Sequence, residues 1–175
     1  MTQPIVDQLR FARSEFRRSL LNVTESEGTV RIHPMNSIIW LLAHVAEHEQ
    51  RYWLTMRANI VIVPSLPELA GYGQPASTPP LNQMWDAWHR VTREVDGYVD
   101  ELTTADLTEP YVADGTPLTE SVGTRLLRTT YHYWYHTGEA QAVRQLLGHT
   151  DLPEFVGDIG VEAPYRREDE ATVDD

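Results

Sequence analysis

Apolar residues recur every three or four positions over four long stretches of the chain, which is the spacing of amphipathic helices. The four predicted helices span about residues 4–23, 37–60, 81–102 and 117–147. The fourth is predicted to have Thr116 as its N-cap residue, Pro117 in its first turn and Gly148 just past its end. The pattern therefore predicts an all-α protein.

A connection of about twenty residues, from Val61 to Pro80, joins the second and third predicted helices and is rich in proline and glycine. Loops longer than about 12–15 residues are uncommon in compact domains and often cover functional sites. This one is long enough to run from one end of a helical bundle to the other, although a flexible tether is the alternative interpretation. We predict a four-helix bundle with a long connection between helices 2 and 3.

The length and composition indicate one folded unit. The chain has 175 residues, of which 41% are hydrophobic, and this suffices for one domain with a sizeable core. We expect the bundle to occupy residues 1–165. Residues 166–175 are mostly charged and can bury little apolar surface, so they are predicted to form an acidic, disordered tail.

Charge and hydropathy exclude some classes of partner. The net charge of −12 argues against nucleic acid, since that affinity depends on neutralising phosphates with basic side chains. No apolar run approaches the ~18 residues of a membrane span. The first residues lack a basic segment followed by an apolar core, so they do not read as a secretory signal. We expect a cytoplasmic protein without membrane or nucleic-acid partners.

Two pairs of histidines have the spacing of one helical turn. His132 and His136 on the fourth predicted helix present two imidazoles to one point, as a transition metal requires. His44 and His48 repeat the spacing on the second helix. The chain has no cysteine, so imidazole and carboxylate would have to supply the ligands. The alternative is a helix whose histidines face solvent, but large aromatic neighbours such as Trp134 are not typical of a solvent-exposed helix face.

A helical wheel of the second helix places His48 further inward than His44, and Glu49 near the centre of the apolar face. A carboxylate in that position is costly unless something charged meets it. A buried arginine would satisfy Glu49 as well as a metal would, so both interpretations stay open.

Two segments resemble the DinB-like superfamily of metalloenzymes, which includes the mycothiol- and bacillithiol-dependent S-transferases. They are residues 36–49 (NSIIWLLAHVAEHE) and residues 132–139 (HYWYHTGE), within a resemblance that covers roughly residues 5–150. The resemblance implies a three-histidine divalent metal site, with zinc or nickel as the expected metal. Its ligands would be His44, His132 and His136, with His48 as the alternative ligand on the second helix.

In that family the ion binds and deprotonates a thiol, so the resemblance implies a thiol S-transferase with a low-molecular-weight thiol as cofactor. A metal-bound water would serve hydrolysis equally well. Arg128 and Glu49, which takes the place of a family glutamate, are the candidate catalytic residues. Arg125 and Arg128, two turns and one turn before His132, are candidates for binding an anionic group of cofactor or substrate. The alternative is that Arg128 pairs with Glu49 inside the bundle.

The rival interpretation is a non-catalytic metal-binding bundle that acts as a stress-related binding or dimerisation protein. The polar stripe of Arg125, Arg128 and Thr129 leading to His132 favours an enzyme. A purely structural site would normally be closed by a fourth protein ligand. An open cavity that reaches the metal would distinguish the two. The expected partner is a small-molecule substrate or thiol, and a homodimer is left open.

Overall fold

The computed structural model describes residues 2–154 and 156–165, so the predicted tail over residues 166–175 lies outside the described residues. The protein is mostly helical and has a small two-stranded sheet. In chain order the elements are α1 (Pro4–Ser19), α2 (Glu25–Thr29), α3 (Ile38–Glu49), a π-helical turn (Gln50–Thr55), α4 (Met56–Ala58), α5 (Leu66–Ala70), α6 (Leu81–Val99), α7 (Thr104–Thr108), β1 (Pro110–Ala113), β2 (Thr116–Ser121), α8 (Val122–Leu146) and α9 (Ile159–Glu162).

The prediction of a purely α-helical chain is wrong at one place, where Thr116 and Pro117 belong to a strand and not to a helix. Strands β1 and β2 pair antiparallel across a two-residue turn at Asp114 and Gly115. Both turn residues have positive φ, 48° and 76°. An Asp-Gly turn of this kind matches the twist of the two strands it connects, and this is why the hairpin forms here.

Helix α8 begins at Val122, after strand β2, and not at residue 117 as predicted. Its N-cap is Ser121, whose Oγ accepts a hydrogen bond of 3.1 Å from the backbone N–H of Thr124. Its end agrees with the prediction, because Gly148 has φ of 90° and its N–H donates to the Gln145 carbonyl at 3.0 Å. Glycine adopts this left-handed conformation without steric cost, which ends the helix.

The second predicted helix is interrupted. Ser37 caps α3, since its Oγ accepts from the Trp40 N–H at 3.3 Å. After Glu49 the chain makes the π-helical turn, and it leaves the helix at Asn59 in a left-handed conformation with φ of 57°. A π turn holds more residues than an α turn, so side chains beyond Glu49 point in directions that a regular helical wheel does not give.

The core forms where the long helices meet. Helix α1 lies along α8, while α3 packs against α6 and α8 and is covered on another side by α5. Large side chains from all of them are fully buried, including Leu9, Phe16, Leu41, Val91 and Leu126. Each such burial stabilises the fold by about 1.5–3 kcal/mol before entropy is counted. Among the described residues, no helix combines the length and apolarity needed to cross a membrane.

Candidate metal centre

Three histidines from two helices meet at one point between α3 and α8. His44 lies on α3, and His132 and His136 lie one turn apart on α8. One ring nitrogen from each lies within 4.8 Å of the other two. The Nε2 atoms of His132 and His136 are 3.0 Å apart. Nitrogens that each bind one ion at about 2.0–2.1 Å come to roughly this separation.

Two of the three rings are held in place by hydrogen-bond acceptors behind them. Nδ1 of His44 lies 2.7 Å from the carbonyl oxygen of Ala70 at the end of α5. A carbonyl only accepts, so Nδ1 carries the proton and Nε2 keeps its lone pair. Nδ1 of His136 lies 2.9 Å from Oε2 of Glu139. Such contacts fix the tautomer and orientation of metal-binding histidines.

Glu139 is ionised in this position. Burial acts to raise its pKa, but hydrogen bonds from His136 and from Asn36 outweigh that effect and leave the pKa below its ordinary value. An ionised carboxylate only accepts hydrogen bonds, so His136 must donate through Nδ1. When the His136 ring is neutral, its lone pair is then on Nε2, the atom that faces His132.

Burial also keeps His44 and His132 in the neutral form that binds metal. It lowers the pKa of His44 and of His132 below the ordinary histidine value, and the neighbouring imidazoles act in the same direction. Neutral imidazole is the ligand form, because a protonated ring has no lone pair to give. The donor set and its convergence fit a divalent metal ion.

His48 lies beside the three-histidine group and not within it. Its ring centroid is 4.0 Å from that of His132, with 30° between the ring planes. Its Nδ1 is buried and has no hydrogen-bond partner among the described residues, and burial lowers its pKa to about 3. The helical wheel placed His48 nearer the core, whereas in the structure His44 is the more buried of the two. The geometry therefore favours His44 as the third donor.

Glu49 lies in the hydrophobic core and not among the three clustered histidines. It accepts a hydrogen bond of 2.8 Å from Nε of Arg13 on α1, and a second contact joins Arg13 Nη2 to its other oxygen. The Tyr133 hydroxyl also donates to Glu49, and Trp88 Nε1 donates to that hydroxyl at 2.8 Å. A buried arginine thus satisfies this carboxylate. Its oxygens face Arg13 and Tyr133 and are not part of the three-histidine group.

The two candidate arginines both pair with Glu120 on β2. Arg125 is buried, lies 2.8 Å from Glu120, and stacks over the rings of Tyr52 and Tyr111 at 4.6 Å and 4.9 Å. Arg128 contacts the same carboxylate, but its side chain is 56% exposed. The alternative in which Arg128 pairs with Glu49 is wrong.

A cleft of about 490 Å³ opens beside the histidines, and we call it the metal-site cleft. It is lined by His44, Glu47, His48, Arg51, Tyr52, Tyr72, Arg128, Tyr131 and His132. Since two of the three clustered histidines form part of its wall, an ion held by them is reachable from the cleft. Arg125 does not line it.

Sequence reasoning missed Glu47 and Arg51, although a signal was present. Glu47 follows His44 by three residues, the spacing that keeps side chains on one side of a helix, whereas Arg51 lies in the π-helical turn, where regular spacing no longer applies. Thr129, expected on a polar path to His132, is instead fully buried and accepts a hydrogen bond of 3.1 Å from Trp53 Nε1.

Comparison with known proteins agrees with the resemblance seen in the sequence. A search of curated proteins gave no match. Residues 8–140 match a protein family described as the DinB superfamily. The matched region includes all three clustered histidines and Glu139. Because the match covers well over half of the chain, this protein belongs to the DinB superfamily.

Proposed function

We propose that this protein is a divalent-metal-dependent enzyme, a thiol-dependent S-transferase or a hydrolase, that holds zinc or nickel with His44, His132 and His136. One observation carries the proposal: the three ring nitrogens converge within 4.8 Å, and two of their rings form the wall of an open cleft. Three protein ligands leave positions on the ion for water or substrate, as in catalytic zinc sites.

The residues around the centre have distinct roles in this proposal. The Ala70 carbonyl and Glu139 orient His44 and His136, so both rings present Nε2 before any ion arrives. Burial keeps His44 and His132 neutral at physiological pH. A divalent ion held by these three histidines would supply Lewis acidity, which favours loss of a proton from a low-molecular-weight thiol or from water.

The metal-site cleft favours an enzyme over a non-catalytic metal-binding bundle. A structural site is normally closed by a fourth protein ligand. Among the described residues, the group that could hold one ion contains three histidines and no fourth donor. The cleft is large enough for a small-molecule substrate or thiol beside those rings.

The test combines metal content with turnover. Protein purified without an affinity tag is depleted of metal, reloaded with zinc or nickel, and assayed against panels of electrophiles with thiols and of hydrolysable esters and amides. Turnover by the loaded wild type, absent from the metal-free protein and from His132→Ala, supports the proposal. Stoichiometric metal with no turnover in either panel would favour the non-catalytic bundle.

A further inference from the structure

Glu47 is a buried acid in the wall of the metal-site cleft. Its residue is only 3% exposed, yet it lines the cleft together with His44. Over residues 2–154 and 156–165, its carboxylate makes no hydrogen bond or ion pair. Burial raises the pKa of Glu47, and the nearby charge of Arg51 opposes that effect only in part. Neither carboxylate oxygen is among the fully enclosed polar atoms that lack a partner, so the carboxylate is open to the cleft and can pair with a ligand bound there.

Arg51 supplies the opposite charge in the same cleft. Its Nη2 donates to the Tyr52 hydroxyl at 3.0 Å, and its guanidinium lies 4.9 Å from the Tyr52 ring centre. Within the described part of the chain it makes no ion pair, and this includes Glu47, its neighbour one turn back. Arg128, the other cation of the cleft, is already paired with Glu120. Beside the histidines, the cleft therefore offers one carboxylate and one guanidinium that make no direct ion pair, although their charges act on each other.

We infer that the small molecule bound in the metal-site cleft is a zwitterion, with an ammonium group recognised by Glu47 and a carboxylate recognised by Arg51. This inference rests on the proposed function and names the class of thiol or substrate. An ammonium donating to Glu47 offsets the cost of burying that carboxylate. The planar guanidinium of Arg51 suits two parallel hydrogen bonds to a carboxylate. Both groups line the same cleft as His44 and His132, so a molecule bound between the two charges lies beside the clustered histidines.

Four small thiols separate the two charges. L-cysteine carries both groups, N-acetyl-L-cysteine only the carboxylate, cysteamine only the ammonium, and 2-mercaptoethanol neither. Cobalt-loaded protein reports binding through the charge-transfer absorption of a cobalt–thiolate bond. We expect cysteine to bind most tightly, and removal of either charged group to weaken binding by about ten- to a hundredfold.

Matched variants assign each preference to a residue. Glu47→Gln keeps the shape and removes the charge, so it should abolish the preference for ammonium and leave the preference for carboxylate. Arg51→Gln should do the reverse. Glu94→Gln, an exposed carboxylate on α6, is the control and should behave as the wild type. An amine that binds the cobalt itself would produce a preference that Glu47→Gln does not change.

The outcomes distinguish this inference from the proposed function. If thiols bind the cobalt but the ammonium preference is the same in wild type and Glu47→Gln, the zwitterion inference is overturned and the proposed function stands. If no thiol binds to cobalt-loaded protein, thiol-dependent function and this inference fall together. Cobalt content must be equal in all variants, since a loss in Glu47→Gln would make Glu47 part of the metal site. Metal-free Glu47→Gln should melt no lower than wild type, whereas a structural carboxylate would lower the melting temperature.

Discussion

The Nδ1 atom of His136 lies 2.9 Å from Oε2 of Glu139, three residues further along α8. The other oxygen of Glu139 accepts from the backbone N–H of Asn36 at 3.3 Å and from its side-chain amide at 3.1 Å. Asn36 immediately precedes the N-cap of α3, the helix that carries His44. One carboxylate therefore connects a candidate ligand on α8 to the start of the helix that provides another.

Removing that carboxylate should weaken metal binding without removing a ligand. Glu139→Ala is expected to lower the affinity for zinc by about ten- to a hundredfold, because His136 loses the contact that fixes its tautomer. Glu139→Gln retains an acceptor oxygen and should lose less. Competition with a chromophoric chelator measures both. Wild-type affinity in Glu139→Ala would show that His136 does not depend on this contact.

Metal content should discriminate between His132 and His48. His132→Ala removes one of the three converging nitrogens, so the purified and reconstituted protein should hold much less than one ion per chain. His48→Ala should keep a full complement, because His48 lies outside the group. Elemental analysis after dialysis decides the point. Equal metal content in wild type and His132→Ala would refute the site. Loss of metal in His48→Ala would identify His48 as a ligand.

Two arginines should differ sharply in their contribution to stability. Arg13→Met leaves the buried carboxylate of Glu49 without its cation and should lower the free energy of unfolding by about 3–5 kcal/mol. Arg128→Met breaks an exposed pair with Glu120 and should cost no more than about 1 kcal/mol. Denaturant unfolding of the metal-loaded proteins compares them. A large loss in Arg128→Met would mean that it belongs to the core.

The metal-free protein should lose stability as pH falls below about 6.5. Burial lowers the pKa of His44, His48 and His132, so below the ordinary value of about 6.5 the unfolded chain binds protons that the folded chain does not. The free energy of unfolding should then fall by up to about 1.4 kcal/mol per pH unit for each such ring. Urea unfolding at several pH values between 7 and 5 measures the slope.

A matched variant isolates one ring from that slope. His48→Gln removes the group whose folded pKa is about 3, so it should flatten the decline in stability between pH 6.5 and 5. A wild-type profile that is flat across this window would contradict the assignment of buried neutral histidines. Bound zinc should add its own pH dependence, because protons compete with the ion for the same nitrogens.

Local spacing identified the pair His132 and His136, but it did not choose between His44 and His48 and did not give the partner of the core charge. The spacing of His132 and His136 is a property of one helix, so it is readable from sequence alone. The resemblance then pointed to His44, which the structure brings to the same place. Glu49 was recognisable as a charge on an apolar face, but its partner Arg13 comes from a different helix. Periodicity reveals that such a charge needs a partner without saying which arginine meets it.

Breaks in regular geometry explain the remaining differences. The π-helical turn at Gln50–Thr55 changes the direction of the side chains that follow it in the helix. A helical wheel drawn for one continuous α-helix therefore gives wrong directions beyond Glu49. The hairpin had a readable signal in Asp114 and Gly115, a pair typical of tight turns between strands. Thr116 and Pro117 also resemble a helix start, so the sequence carries two competing signals at this position.

Through the contact between the Ala70 carbonyl and His44, the backbone of a connecting segment orients a candidate metal ligand. Since the acceptor is a main-chain oxygen, no replacement of the side chain at position 70 can delete it. The path of the chain can still move it: a methyl group at Gly71 would come within 2.4 Å of the Pro67 carbonyl oxygen, so that turn of α5 would have to shift. Variation in the length or shape of this segment can therefore retune the metal centre while every ligand stays the same.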